Sequence, residues 1–421
     1  MAPVYNPDME ELNKRRVERH LRRQKMNAKK RRKKQLTMIG IILLLIALGV
    51  GLFFLTRWME EKPEEVLPQV QSDGSVKAEE DIVVHLVATG DVNVSDAIVA
   101  SGGPDYDYKN TFLDVAHLLA EGDLTVVNFE GNLCGAPYGS NSGSAPQSLV
   151  ETLQHCGVDL VQLANSYSIN QGISGLQATI QSVKEAGMEP LGVYEDERAY
   201  RAGKGYTIRD VDGVKIAFIA FTKGMNGMTL PEGSEHCVNV LYKDYDSTYQ
   251  SIDRDALNDV LDAVEKEKPD LTVAMLHWGS EYNDNVSDSQ ESLVSLLQDR
   301  GVNAIIGSHP HFVHKMTYDP ETGNFVAYSL GDLLSDGTRS GTEYSVVLKL
   351  EITKNAEGTK ITGYSYTPIF SVSERGRSLR SVRIAEAMVA RDGNHIERVN
   401  SSTYDAMTYA LTRIEARTKG E

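Results

Sequence analysis

The sequence predicts an α/β domain of layered sheet preceded by one membrane-spanning helix. Three observations carry that prediction. Short β-branched runs recur, each ending on a polar, ligand-type residue; runs with helical spacing fill the gaps; and a stretch without any charged residue, 36–56, follows a strongly basic N-terminus. Alternating strands and helices argue for an α/β architecture with much parallel sheet.

Residues 1–35 are crowded with Lys and Arg and culminate in Lys29-Lys30-Arg31-Arg32-Lys33-Lys34. The formal net charge of the 421 residues is nevertheless -16, so the chain beyond residue 56 is more acidic than the average. Residues 36–56 read as the span: about twenty helical residues rise roughly 30 Å, the thickness of the hydrocarbon layer. Trp58 stands where an interfacial aromatic would anchor the exit. A cleaved signal peptide is the poorer reading, because Thr56-Arg57-Trp58-Met59 offers no small-residue cleavage site. Positive charge stays on the cytoplasmic side, which predicts a cytoplasmic N-terminus, a cell-membrane location and an extracellular C-terminal domain. A basic run can also be a nucleic-acid patch. Its position against the span favours topology and anionic-lipid contact, so the membrane is the expected partner and nucleic acid is not.

Residues 57–80, rich in Glu, Pro, Gln and Ser without apolar periodicity, predict a linker. A domain over 81–340 follows, and then a β-rich extension, 341–421, packing on it and ending in a helix near Ser401 to Arg417. The first strand is Ile82 to Ala88, stopping at Thr89-Gly90-Asp91. Leu124 to Val127 ends at Asn128-Phe129-Glu130, Leu160 to Ala164 at Asn165, Leu271 to Leu276 at His277, and Ala304 to Ile306 at Gly307-Ser308-His309-Pro310-His311. Between them, Leu257, Val260, Leu261 and Val264 have the i, i+3, i+4, i+7 spacing of a helix that stops before Pro269. Ser287 and Gln290 form a capping-box pattern opening a second helix that Gly301 closes, and Leu176, Ile180 and Val183 mark a third ending at Gly187. After Thr342 the runs Tyr344 to Ile352 and Ile361 to Phe370 are strand-like. Cys134, Cys156 and Cys237 are too few for a disulfide framework and include no Cys-x-x-Cys pair, so they read as small buried apolar side chains.

In parallel sheets the binding crevice lies at the carboxyl ends of the strands, where the polar residues would converge. His309 and His311 flank Pro310, and a turn there can bring both imidazoles to one metal, or one to metal and one to substrate. His277 and Glu281 follow the preceding strand, and Asp91, Asn93, Asn128, Glu130 and Asn165 add oxygen donors. This oxygen and nitrogen set, without thiolate, suits divalent Mn, Fe, Zn or Mg and a metal-assisted hydrolytic or transfer centre. Asp91 and Glu130 can each also be read as turn or helix-capping residues. No Gly-x-Ser-x-Gly elbow, Walker loop or dinucleotide fingerprint occurs in a strand-to-helix context, which argues against serine hydrolases and nucleoside triphosphatases.

Taken together, Ala88-Thr89-Gly90-Asp91-Val92, Val126-Val127-Asn128-Phe129-Glu130-Gly131, Leu163-Ala164-Asn165, His277-Trp278-Gly279-Ser280-Glu281-Tyr282, Gly307-Ser308-His309-Pro310-His311 and Tyr328-Ser329-Leu330-Gly331-Asp332 resemble the CapA family of poly-gamma-glutamate capsule-synthesis proteins. The resemblance covers roughly 82–336 and implies a calcineurin-like, metallophosphoesterase-type fold with an N-terminal anchor. It implies metal ligands at Asp91, Glu130, Asn165, His277, His309 and His311, catalytic roles for His277, Glu281 and His309, and substrate contacts at Asn93, Asn128, Tyr167 and Asp332. Three departures stand out. The family's Ala-Asn-Asn-His is Ala164-Asn165-Ser166-Tyr167 here, followed by Asn170 and Gly172; its Gly-Asn-Phe is Gly331-Asp332-Leu333; and the first of a frequent His-His-Pro-His is Ser308. In related phosphoesterases the histidine at the Tyr167 position assists the leaving group, and such general acid catalysis contributes about 10²–10⁴-fold. A retained fold with a depleted site is therefore expected. Two functions stay open: a metal-dependent enzyme of hydrolytic or transfer type, and a non-catalytic membrane subunit that works with other membrane subunits of polymer synthesis or export. An anionic surface polymer would be repelled by the acidic domain at long range, so its binding has to be local or cation-mediated.

Overall fold

The computed structural model describes residues 81–373, 379–385, 387 and 399–421. The predicted tail, membrane span and linker lie outside the described residues. Among the described residues no helix is long and apolar enough to cross a membrane.

The strands are β1 (Ile82–Asn93), β2 (Leu124–Glu130), β3 (Leu160–Gln162), β4 (Glu189–Leu191), β5 (Tyr206–Val211), β6 (Val214–Thr222), β7 (Leu271–His277), β8 (Ala304–Ser308), β9 (Met316–Asp319), β10 (Asn324–Ala327), β11 (Asp332–Leu334), β12 (Tyr344–Asn355), β13 (Gly358–Val372) and β14 (Arg380–Arg383). They form two sheets, one ordered β14-β13-β12-β1-β2-β3-β4 with β11 added to β1, the other β5-β6-β7-β8-β10-β9. Strands β1 to β4 run parallel to one another, as do β6, β7, β8 and β10.

The sheets stack face to face. Val84, Leu86 and Ala88 of β1 and Val126 of β2 share one buried cluster with Ile216 and Phe218 of β6 and Val273 and Met275 of β7. The alternate residues Ala217, Ile219, Ala274 and Ile305 face outward under the helices Arg254–Glu267 and Asp288–Asp299, which cover them with Leu257, Val260, Leu261, Leu293 and Leu297. Burial on both faces is why β7 reads as a continuous apolar run rather than an alternating one. The predicted capping box is present: Ser287 accepts from the Gln290 backbone, and the Gln290 side chain accepts from Ser287 N–H at 3.1 Å. Gly301 closes that helix at φ +80°.

Several strands run further than the apolar pattern predicts, because ladder pairing continues past the last apolar side chain. Thus β1 includes Asp91 and Asn93, β2 includes Asn128 and Glu130, and β7 includes His277. The hairpin β5–β6 and the helix Gln147–Cys156 are not among the predicted elements. Cys156 and Cys237 are buried, as expected, but Cys134 is exposed. It opens the loop that leaves β2 beyond the sheet edge, where nothing covers it.

Two devices position the strand ends. The first is a change of partner along β1, which pairs antiparallel with β12 up to Thr89 and parallel with β11 from Asp91 onward. Gly90 stands at the change, and Asp91 N–H donates to the Gly331 carbonyl at 2.9 Å, drawing Asp332 alongside Asp91. The second is Trp278, fully buried after β7, whose Nε1–H donates to the Tyr328 carbonyl at 2.8 Å while the two rings stack at 5.6 Å. Trp278→Phe orphans that carbonyl and removes ring volume, so a loss of about 2–3 kcal/mol is expected in urea unfolding. A loss below about 0.5 kcal/mol would show that the bond contributes nothing net.

The C-terminal helix Ser401–Lys419 lays Met407, Ala410 and Ile414 on the sheet core. Its Arg417 lies over Phe312, 4.7 Å from the ring centroid, and donates to Asp284. Asp284 belongs to the loop that carries Glu281 and Tyr282, so the end of the chain ties down one wall of the crevice.

Candidate metal centre

The carboxyl ends of the parallel strands of both sheets meet at one edge of the sandwich. There β1 supplies Asp91 and Asn93, β2 Asn128 and Glu130, the turn after β3 Asn165, β7 His277, the turn after β8 His309 and His311, and β11 Asp332. All but Asn93 are buried. His309 and His311 adopt φ of +96° and +60°, a region that costs a non-glycine residue of order 1–3 kcal/mol and is typical of functional turns. Gly307 makes the close approach before them possible, since a Cβ there would lie 2.1 Å from the Tyr328 carbonyl oxygen.

A continuous polar network joins these groups. Asn128 Nδ2 donates to Asp91 Oδ1 at 2.8 Å and to Glu130 Oε1 at 3.0 Å, while its Oδ1 accepts from Asn165 Nδ2 at 3.0 Å. Asp91 Oδ2 accepts from His309 N–H at 3.0 Å and lies 3.4 Å from His311 Nδ1. His311 Nδ1 bonds Asp332 Oδ1 at 2.9 Å. Glu130 Oε1 is 2.8 Å from His277 Nε2.

Burial pushes the acids up, Asp91 well above its ordinary range, Glu130 to about 7 and Asp332 to about 6. For Asp91 the charges of Glu130 and Asp332 add to that effect. Burial holds His277 and His309 low, keeping both imidazoles neutral with a lone pair available. Burial also acts to lower His311, but Asp332, Glu130 and Asp91 together carry it well above its ordinary value. Three buried carboxyl groups beside one imidazolium have to be neutralised in so low a dielectric, either by bound protons, as their raised pKa values allow, or by a cation.

The hydrogen-bond pattern fits a divalent metal. Thr222 Oγ–H donates to the Gly224 carbonyl at 2.8 Å, so the 3.2 Å contact between Thr222 Oγ1 and His277 Nδ1 assigns the proton to Nδ1. The bare Nε2 then faces a Glu130 oxygen, an arrangement that requires a proton or a cation between two acceptors. His309 Nδ1 is buried with no partner. Among the described residues two groups could hold an ion, Glu130 with His277 and His309, and Asp91 with Glu130 and His311, the ligand atoms of each lying within 4.8 Å of one another. A divalent cation held there would act as a Lewis acid toward a phosphoryl or carbonyl oxygen.

The other predicted residues take distinct places. Asn165 Nδ2 is used by Asn128 and by the Phe129 carbonyl at 2.7 Å, while its Oδ1 accepts from Tyr167 N–H, so its amide braces the β2 end and keeps one oxygen lone pair. Asn128, expected to contact substrate, has both amide hydrogens engaged and acts as a spacer between two carboxylates. Asp332, likewise expected at the substrate, is buried behind His311 and bonded to Asn93. Tyr167 is half-buried, and burial, with the charges of Glu130 and Glu281, raises its phenol above the ordinary value. Glu281 is exposed on the rim, and Tyr282 stacks on His311 at 5.2 Å. Asn170, beside the departure at Tyr167, braces the 139–144 loop through the Ser142 carbonyl at 2.9 Å. Thr222 and Lys223 are site residues that the sequence reading missed. Thr222 ends β6 and Lys223 follows it, so an apolar run stops on polar residues as the others do, and that signal could have found them.

The family described as Bacterial capsule synthesis protein PGA_cap matches residues 85–337. The chain belongs to this family. Among curated relatives, the "Capsule biosynthesis protein CapA" of Bacillus anthracis is 26% identical over 349 residues, 79% of this chain and 76% of that protein. The "PGA biosynthesis protein CapA" of Bacillus subtilis (strain 168) is 24% identical over 314 residues, 70% of this chain and 73% of that protein. Among solved structures, the calcineurin-like phosphoesterase YfkN from Bacillus subtilis aligns with a TM-score of 0.44 at 16% identity, covering 81% of this chain and 98% of that one. The PGA_cap match takes in every strand end that contributes to the centre, from Asp91 on β1 to Asp332 on β11.

Proposed function

We propose that this PGA_cap protein is a membrane-anchored, extracellular accessory of capsule or surface-polymer synthesis or export, of the poly-gamma-glutamate type, that holds a divalent metal in a site depleted of its general acid. The observation that carries the metal reading is the contact between Glu130 and the bare nitrogen of His277, joined by the partnerless His309. Asp91, Glu130, Asn165, His277, His309 and His311 hold the ion. The names of the two CapA relatives support the polymer reading, and the uncharged run 36–56 beside the basic tail supports the anchor; other membrane subunits of polymer synthesis are the partners this reading expects.

Depletion rests on Tyr167. An imidazole there would titrate near neutrality and could protonate a leaving oxygen; a phenol raised above its ordinary value by burial and by Glu130 and Glu281 stays protonated and gives up its proton poorly. Asn165 and the Tyr167 backbone remain to orient a bound group, while proton delivery is lost. Full-length protein should contain at least one divalent metal per chain by elemental analysis, and a metal-free wild-type preparation would end the reading. Tyr167→His is expected to raise hydrolysis of a chromogenic phosphodiester by about 10²-fold or more. A parent that already matches the variant would refute depletion. Protease added to intact cells should remove the domain beyond residue 80 and leave the N-terminal tail; full protection would refute the topology.

A further inference from the structure

Beside His309 lies a cleft of about 250 Å³ that the metal centre does not account for. Lys223, Asn226 and Tyr249 come from the loops after β6, Ser166 from the turn after β3, and Ser280 from the turn after β7. The Lys223 ammonium donates to the Gly279 carbonyl at 2.6 Å and rests over the Tyr249 ring, 4.6 Å from its centroid. Those two contacts hold the cation in place and leave N–H donors unused, since an ammonium carries three. Among the described residues no carboxylate forms an ion pair with it, and no hydrogen bond engages the side chains of Ser166, Asn226 or Ser280.

A half-buried ammonium with unused donors, joined in the cleft by unpartnered hydroxyl and amide groups and facing only the exposed Glu281 as an opposite charge, has the chemistry of an oxyanion pocket. Charge decides which oxyanion. Glu281 lines the same cleft and already offsets part of the ammonium's charge, and Asp91, Glu130 and Asp332 lie buried in the adjoining centre, so at most a single negative charge is accommodated and a dianion would be left in excess. A carboxylate also has two oxygens to divide between the ammonium and the neutral donors.

We propose that the Lys223 cleft is a subsite for a single carboxylate of the substrate, with Lys223 as its anchor, placing the adjoining part of the substrate against His309. The assignment deepens the metal-centre reading, on which it rests only for what happens beyond His309. Binding is measured by calorimetry on full-length protein in detergent, with a short γ-glutamyl oligomer and, separately, inorganic phosphate, and metal content is determined on every sample. Lys223→Met is expected to weaken the oligomer by about tenfold or more at unchanged metal content and melting temperature. Lys223→Arg, which keeps the charge on a different geometry, should recover part of the affinity. Oligomer affinity in Lys223→Met within about twofold of wild type overturns the anchor. Failure of wild type to bind the oligomer, or Lys223-dependent binding of phosphate in preference to it, overturns the carboxylate subsite. Lys223-dependent oligomer binding by a metal-free wild type would leave the subsite standing and remove the metal reading alone.

Discussion

His309→Ala is expected to strip divalent metal from the protein while leaving its fold intact. The imidazole is buried with Nδ1 unbonded, so its loss orphans no protein group, and the contact to Asp91 is made by the His309 backbone, which the substitution keeps. The left-handed backbone at φ +96° is as unfavourable for alanine as for histidine, so strain does not change. Loss of outer partners alone typically costs about 10–100-fold in metal affinity, so loss of a direct ligand should cost at least about 100-fold. Elemental analysis after dialysis against a weak chelator should fall from one or more ions per chain to near zero, with urea stability changed by less than about 1 kcal/mol. His277→Ala should lose metal as completely and also lose stability, because it strips Thr222 Oγ1 and Glu130 Oε1 of a buried partner. Full metal retention by both variants would mean that the two imidazoles do not ligate.

Gly90→Ala is expected to be the most destabilising single methyl in the domain. A Cβ at residue 90 would lie 1.8 Å from the Gly331 carbonyl oxygen and 2.5 Å from its carbon, and neither is the end of a flexible side chain. Relief requires β11 to move off β1, which breaks the Asp91 N–H bond to Gly331 and separates Asp91 from Asp332. Overpacking typically costs about 1–3 kcal/mol and more where backbone must shift, so a loss of about 3 kcal/mol or more is expected. For a domain of this size that lowers the melting temperature by roughly 4 °C or more. Metal retention should fall with it, because His311 is held between the two strands by Asp332 and Asp91. Gly363→Ala is the control: nothing lies within 4 Å of its added Cβ, and stability should stay within about 0.5 kcal/mol of wild type. Equal melting of the two variants would mean that β11 can pair with β1 without the close approach.

Much of the centre was legible before the fold was known. Each apolar run of β1, β2, β7 and β8 is long enough to name a buried strand, and the polar residues in the few positions after it mark the crevice edge. That rule reaches Asp91, Glu130, His277, His309 and His311. It does not separate their roles: Asn128 and Asp332, assigned to substrate, are bonded to Asp91 and Glu130 and to His311 respectively. The same rule applied to β6 would have reached Thr222 and Lys223, which carry no familiar metal-ligand signature and so drew no attention.

The sequence by itself determined which residue types stand at the strand ends, because strand formation and the polar stop are written within a few neighbouring positions. Only the tertiary structure decided which of them touch. Glu130 meets His277 across 147 positions and Asp91 meets His309 across 218, contacts that depend on how two sheets stack and on the partner that β1 takes at Gly90. Local periodicity specifies neither stacking nor partner, since an apolar strand face buries equally well against many others.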